Sequence, residues 1–118
     1  MQFDYLRNNG GMRHVPGFDQ DAEPWGRYMS PDSDEHHLPL QPNWERGSVG
    51  FSNPLYVPHN YGAWKQELSQ QHDGLTGHDL SDALMAKGHD GVITHDKYGI
   101  GEIVDIRPKD QRGHRRHD

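Results

Sequence analysis

The sequence predicts a small, loop-rich α+β domain, and three observations point to that class. Only 31% of the 118 residues are hydrophobic and the mean hydropathy is −1.10, so the core must be modest. Yet three Trp, five Tyr and three Phe are more aromatic residues than a disordered chain usually carries. Short aromatic or β-branched runs also alternate with two helix-like stretches. We therefore expect one domain over residues 1–108 and a charged, frayed tail over residues 109–118.

Short strands are predicted in the first half of the chain. Residues 3–6 are typical of a strand that carries Arg7 at its exit. Residues 27–30 indicate a second strand, which Pro31 closes. Residues 31–50 contain three Pro, two Gly and a run of acidic side chains, a composition that predicts a mobile loop.

An edge strand and a first helix are predicted next. Residues 51–58 are rich in aromatic and β-branched side chains, but two prolines restrict them to an edge strand or an extended segment. Asn60 is then expected to cap a helix that runs through residue 72. Tyr61, Trp64 and Leu68 are spaced to share one face of that helix.

The second helix, over residues 77–87, has the clearest sequence signals. Thr76 and Asp79 resemble a capping box with Asp in place of Glu, and Gly88 is placed to end the helix in a left-handed conformation. Its buried stripe is formed by Leu80, Ala83 and Leu84. Two strands, over residues 91–94 and 102–106, are predicted to follow.

Charge and composition argue against several classes of protein. The formal charge is −6 with ten His counted as neutral, which disfavours a general binder of the nucleic-acid backbone. The absence of Cys excludes disulfides, thiolate nucleophiles and cysteine zinc sites, and fits a reducing compartment. The sequence starts without a leader-like segment and has no run that approaches a membrane span, so we expect a soluble, cytoplasmic protein.

Glu102 is the first candidate for a functional residue. It opens the last predicted strand, directly after a polar turn, and aliphatic residues follow it. A carboxylate at the mouth of a strand is well placed to lie in a cleft.

Four segments of the chain resemble the ADP-ribosyltransferase family, particularly its short domains in bacteriophage proteins and bacterial toxins. Residues 87–93, Lys-Gly-His-Asp-Gly-Val-Ile, and residues 102–108, Glu-Ile-Val-Asp-Ile-Arg-Pro, look like the family's C-terminal signature. Upstream, residues 26–30 resemble its Gly-x-Tyr-aliphatic-Ser/Thr strand, and residues 53–57 resemble its Asn-Pro-Leu-Val strand. With Arg7, the pieces stand in the family's order over most of the chain.

The resemblance implies a fold, a reaction and a set of site residues. The fold would be two small packed β-sheets flanked by short helices, with a cleft for NAD between the sheets. The reaction would transfer one ADP-ribose from NAD to a macromolecular acceptor, either protein or nucleic acid, in a bacterial host cytoplasm and without a metal. Glu102 would be the catalytic carboxylate, Arg7 the NAD anchor, Tyr28 the platform for the nicotinamide and Ser30 an organiser of the site.

One departure from the family leaves the acceptor open. Many relatives carry Glu or Gln two residues before the catalytic Glu, where this chain has Ile100. Plain hydrolysis of NAD, or a fold that has lost activity, therefore remains an alternative.

Two other classes of function stay open from the sequence. The first is a non-catalytic interaction protein, with the acidic loop at residues 31–37 and Trp25 or Trp44 as contact points. The second is a metal site of His and Asp, since His-Asp dipeptides recur along the chain. No pair has the helical spacing of the His-Glu-x-x-His motif, which disfavours this reading.

Overall fold

A computed structural model describes residues 1–8, 22–32, 44–111 and 114–117, and they form an α+β domain, as predicted. The described part contains seven strands, two helices and short 3-10 turns. The strands are β1 (Gln2–Asn8), β2 (Arg27–Pro31), β3 (Trp44–Gly50), β4 (Leu55–Pro58), β5 (Gly91–Asp96), β6 (Gly99–Asp105) and β7 (His114–His117). The helices are α1 (Trp64–Gln70) and α2 (Gly77–Ala86).

The described strands form one mixed sheet rather than the two separate sheets that were expected. Their order is β4-β5-β6-β2-β1-β3-β7, with β4 and β5 parallel and the other neighbours antiparallel. β2 joins two halves of the sheet, β4-β5-β6 on one side and β1-β3-β7 on the other. Its residues 27–29 pair with β6, while residues 30–31 pair with β1. Residues 51–58 were predicted to be an edge strand or an extended segment, and the edge position is confirmed for residues 55–58, since β4 ends the order of the described strands.

Two hydrophobic clusters lie on opposite faces of the sheet. The helix-side core consists of Trp64, Leu68, Leu80, Leu84, Val92, Val104 and Ile106. The strand-side core consists of Tyr5, Met29, Val49, Phe51, Ile93 and Ile103. The strand-side core unites residues of β1 and β3 with residues of β5 and β6, so side chains from both sides of β2 in the sheet order pack together.

The second helix follows the sequence prediction closely. Leu80 and Leu84 are fully buried, and Gly88 has a φ of +93° at the helix exit. The Thr76 side chain makes no capping hydrogen bond, although its backbone is extended as an N-cap requires.

The first helix is shorter than predicted, because α1 begins at Trp64 and not after Asn60. Asn60 and Tyr61 both have positive φ and form a 3-10 turn with Gly62. Trp64 and Leu68 belong to the core as predicted, whereas Tyr61 is 96% exposed.

β3 lies in the segment predicted to be a mobile loop, so that prediction is wrong for residues 44–50. Its seven residues all pair with β1, and the backbone hydrogen bonds of such a ladder form whatever the side chains are. Glu45 and Val49 point inward and are buried, at 3% and 0% exposure. Residues 33–43 of the predicted loop, with most of its acidic run, lie outside the described residues.

The C-terminal tail, predicted to fray, supplies a 3-10 turn at Lys109–Gln111 and then β7, which pairs with β3. Pairing of the backbones of β7 and β3 explains why a segment with few apolar side chains forms a strand. Within the described ranges, no helix is long and apolar enough to cross a membrane.

Candidate functional site

Glu102 lies at a β-bulge between β5 and β6. Ile93 pairs with Ile103 and His95 pairs with Ile100, so one residue of β5, Thr94, faces two residues of β6. Glu102 is the second of those two residues. Bulges redirect side chains and are common beside active sites. The bulge therefore sets the direction of the Glu102 carboxylate.

The carboxylate of Glu102 is held on the helix side of the sheet. The indole Nε1 of Trp64 donates a hydrogen bond to its Oε2 at 2.9 Å. Trp64 is 1% exposed and begins α1, so the donor is fixed by core packing. A buried Trp N–H usually needs an acceptor, which is the one sequence signal that could have pointed to this contact.

The backbone of Glu102 is held as well. Its N–H donates to Thr94 Oγ1 at 2.7 Å, and His59 Nδ1 lies 3.0 Å from the same hydroxyl. Thr94 is fully buried, and buried hydroxyls need such partners. Gly101 makes room for this arrangement, since a Cβ there would lie 2.9 Å from both His59 Nδ1 and Thr94 Oγ1.

Tyr28 and Ser30 share the face of the sheet on which Glu102 lies. Tyr28 pairs with Val104 of the helix-side core, and its ring centroid is 6.4 Å from that of Trp64. Its hydroxyl donates to the carbonyl of Pro24 at 2.8 Å, which fixes the ring. Ser30 is two residues further along β2 and exposed. The structure thus brings three of the four predicted site residues to one face.

A buried ammonium group lies beside the two aromatic rings of this site. Lys65 Nζ is 5.6 Å from the centroid of the Tyr28 ring and 5.8 Å from that of Trp64. Glu23 pairs with it at 3.0 Å, which balances the buried charge. Sequence reasoning missed Lys65, because a lysine beside a core tryptophan on a short helix has no distinguishing pattern.

Arg7, the fourth predicted site residue, lies on the opposite face with Tyr5. Its guanidinium is 3.6 Å from Glu45 Oε1, and Arg27 also pairs with Glu45. Burial lowers the pKa of Arg7, repulsion from Arg27 acts in the same direction, and Glu45 opposes both. The structure therefore does not bring Arg7 to Glu102.

A groove of about 310 Å³ lies on the other side of Trp64, between β4 and α1. Apolar side chains of the helix-side core line it, and Glu67, His72 and Lys87 are among its polar residues. Neither Glu102 nor Tyr28 lines it, so the groove and the Glu102 site share only Trp64.

The structure also shows the surroundings of the tryptophans proposed as contact points of an interaction protein, and of the His and Asp residues proposed as metal ligands. Trp25 stacks on His78 with ring centroids 4.4 Å apart, whereas Trp44 is 38% exposed on β3. Among the residues that the structure describes, no three His, Asp or Glu side chains converge as a metal site would require. Asp90 accepts hydrogen bonds from the backbone N–H groups of Ser52 and Asn53, which is a structural role.

Comparison of the chain with protein-family models, with curated proteins and with solved structures finds no match.

Proposed function

We propose that this protein cleaves the bond between nicotinamide and ribose in NAD and transfers the ADP-ribose to a macromolecular acceptor. The observation that carries the proposal is the Glu102 carboxylate, which is directed by a β-bulge and held on one oxygen by Trp64 Nε1. Among the described residues this is the one hydrogen bond that the carboxylate accepts, so Oε1 remains to face a substrate.

The chemistry suits a fixed carboxylate. When the C1′–N bond breaks, its electron pair moves to the nicotinamide ring, which leaves as a neutral molecule. The ribose is left with the positive charge of an oxocarbenium-like species, which a nearby carboxylate stabilises. A nucleophile of the acceptor then attacks C1′ and loses its proton. Because Trp64 is fixed in the core, Glu102 need not reorganise as the charge develops.

Tyr28 and Ser30 complete the proposed site. The Tyr28 ring is fixed through its hydroxyl and offers a planar surface for the nicotinamide, and Ser30 offers a hydroxyl to the ribose or to the carboxylate. The resemblance assigned Arg7 to the NAD, but its ion pair with Glu45 on the opposite face favours a structural role. Our proposal therefore places the NAD contacts on Glu102, Tyr28 and Ser30.

The arrangement of the resembling segments supports the proposal further. Residues 53–57, 87–93, 102–108 and 26–30 belong to β4, β5, β6 and β2 or to their flanks, and these strands are consecutive in the sheet. Segments that are far apart in the sequence thus lie side by side in the sheet. We take this as support for an ADP-ribosyltransferase-like fold whose two half-sheets share β2.

The acceptor is the least specified part of the proposal. Ile100, two residues before Glu102, is 37% exposed beside the site and brings no polar group to direct an acceptor. Water can serve as the nucleophile in its place, so hydrolysis of NAD is the closest variant of the same chemistry.

The test is release of nicotinamide from NAD by the purified protein, with and without bacterial lysate. Glu102→Gln keeps the size of the side chain but removes the charge, and we expect release to fall at least 100-fold, a loss typical of removing an electrostatic stabiliser. Asp82→Asn, at an exposed position on α2, is the matched control and should leave release unchanged.

Each outcome has a defined meaning. Release that requires Glu102 and increases with lysate supports a transferase, and release that ignores lysate supports a hydrolase. If folded wild-type protein releases no nicotinamide under either condition, the enzymatic proposal fails and a non-catalytic binding protein becomes the better reading.

A further inference from the structure

The turn between β4 and α1 has an unusual backbone. Three consecutive residues have positive φ: 50° at Asn60, 55° at Tyr61 and 91° at Gly62. Gly adopts this conformation freely and Asn tolerates it, but a bulky L-residue does so only under strain. Tyr61 therefore carries most of the strain in the turn. Such strain is concentrated at ligand-binding and catalytic positions.

Contacts on both sides hold the turn in place. The N–H of His59 donates to the carbonyl of His95 at 2.8 Å, and the side-chain amide of Asn60 donates to Glu67 of α1. The N–H of Ala63 donates to the carbonyl of Asn60 at 3.0 Å. The backbone conformation at Tyr61 is thus set by its neighbours, without help from its own side chain.

The side chain of Tyr61 gains little from the protein in return. It is 96% exposed, so both faces of its ring are open to solvent. A glycine at this position would remove the strain without loss of packing. The structure therefore shows no folding reason for an aromatic residue at this position.

Tyr61 also lies close in the chain to two residues that hold the proposed catalytic residue. His59, two residues before it, contacts Thr94, to which the Glu102 backbone is bonded. Trp64, three residues after it, donates to the Glu102 carboxylate. Two residues of chain span at most about 7.6 Å between Cα atoms, so Tyr61 lies within that distance of His59, one of the residues that hold the Glu102 site.

We infer that the Tyr61 ring is a stacking platform for the adenine of the dinucleotide, at the entrance to the Glu102 site. The inference rests on the proposed function, because the substrate of that reaction carries a purine at the end remote from the bond that breaks. A planar ring held at a fixed position with both faces open is suited to stack on a planar base. Tyr61 would then determine affinity for the adenylate half and take no part in bond cleavage.

Tyr98 provides a matched control. It is 85% exposed on the turn between β5 and β6, but its φ is not positive, and the Lys97 ammonium lies 5.1 Å from its ring centroid. It shares exposure and residue type with Tyr61 but not the strained backbone.

The experiment measures equilibrium binding of ADP-ribose by calorimetry, together with nicotinamide release from NAD. Tyr61→Ala should raise the Kd for ADP-ribose about 5- to 100-fold, the range expected for loss of one stacked base. Tyr61→Phe and Tyr98→Ala should stay within about twofold of wild type, since the first keeps the ring and the second lies outside the platform. Tyr61→Gly removes both ring and strain, so it should lose binding while its Tm rises, and it guards against a folding defect.

The two proposals fail in different ways. If wild type binds ADP-ribose and Tyr61→Ala weakens that binding, but no nicotinamide is released, the proposed function fails and the adenine platform stands. If Tyr61→Ala and Tyr61→Gly bind ADP-ribose as wild type does, the platform is refuted, whatever the rate of release. Wild type that neither binds ADP-ribose nor releases nicotinamide overturns both.

Discussion

Replacing Gly91 by Ala should weaken the packing between the two halves of the sheet. A Cβ built on Gly91 would lie 2.5, 2.7 and 2.9 Å from three ring atoms of Phe51. Carbon atoms in contact prefer about 3.5–4.0 Å, so the ring would have to move by about 1 Å. Phe51 has little room to do so, because it is 3% exposed and the Arg107 guanidinium lies 5.0 Å from its ring centroid.

The expected loss of unfolding free energy is about 1–3 kcal/mol, the usual cost of overpacking a core. Urea unfolding measures it, and with a slope of about 1–3 kcal/mol per M the midpoint should fall by roughly 1 M. Gly50→Ala is the control, because its Cβ would meet one atom, the Met1 carbonyl oxygen, at 3.8 Å. We expect that variant to stay within about 0.5 kcal/mol of wild type.

A double mutant ties the effect to this contact. Phe51→Leu alone should cost about 1 kcal/mol through lost packing, but in the Gly91→Ala background it should restore stability, with a coupling energy of about 1 kcal/mol or more. If Gly91→Ala unfolds within about 0.5 kcal/mol of wild type, the close approach of Phe51 to β5 is wrong. The strand-side core, in which Phe51 packs with Ile93 of β5 and Ile103 of β6, would then be wrong with it.

Three further predictions follow from buried contacts. Asp105→Ala should cost about 3–5 kcal/mol in urea unfolding, because Asp105 is fully buried and Arg107 donates to both of its oxygens, whereas exposed Asp82→Ala should change little. Leu84→Ala should cost about 2–5 kcal/mol by leaving a cavity in the helix-side core, which would appear as a fall in Tm. Gly101→Ala should lower nicotinamide release at least tenfold, since its Cβ would displace two groups within 2.9 Å that hold the Glu102 backbone. Normal release by folded Gly101→Ala would contradict the role given to the bulge.

The sequence by itself determined the elements whose local signals agree with their burial. Leu80 and Leu84 recur at helical spacing before Gly88, so α2 was predictable almost to the residue. β5 and β6 were predictable because aliphatic runs are bounded by turn residues, and the prolines around residues 54–58 predicted the edge position of β4. These signals depend on residues close together in the chain.

Other elements were decided by partners far away in the sequence. β3 has a charged residue, Glu45, facing inward, and the sequence around it does not predict a strand. The strand is explained by the two arginines that neutralise Glu45, and both come from distant parts of the chain. Asn60 looks like a helix cap, but the bonds from the turn to β5 and α1 place it in a left-handed turn. Local propensity is weaker than such tertiary contacts.

The candidate site divides in the same way. Glu102, Tyr28 and Ser30 were chosen as candidates by residue type and motif order, and the alternation of side chains along β2 places the latter two on one face. The hydrogen bond from the Trp64 indole to Glu102 was decided by tertiary structure alone. It forms because α1, which begins 38 residues before Glu102, packs against β6. Tertiary structure also moves Arg7 to the other face, since the pairing register of β1 fixes which side chains face which core, and a sequence does not state that register.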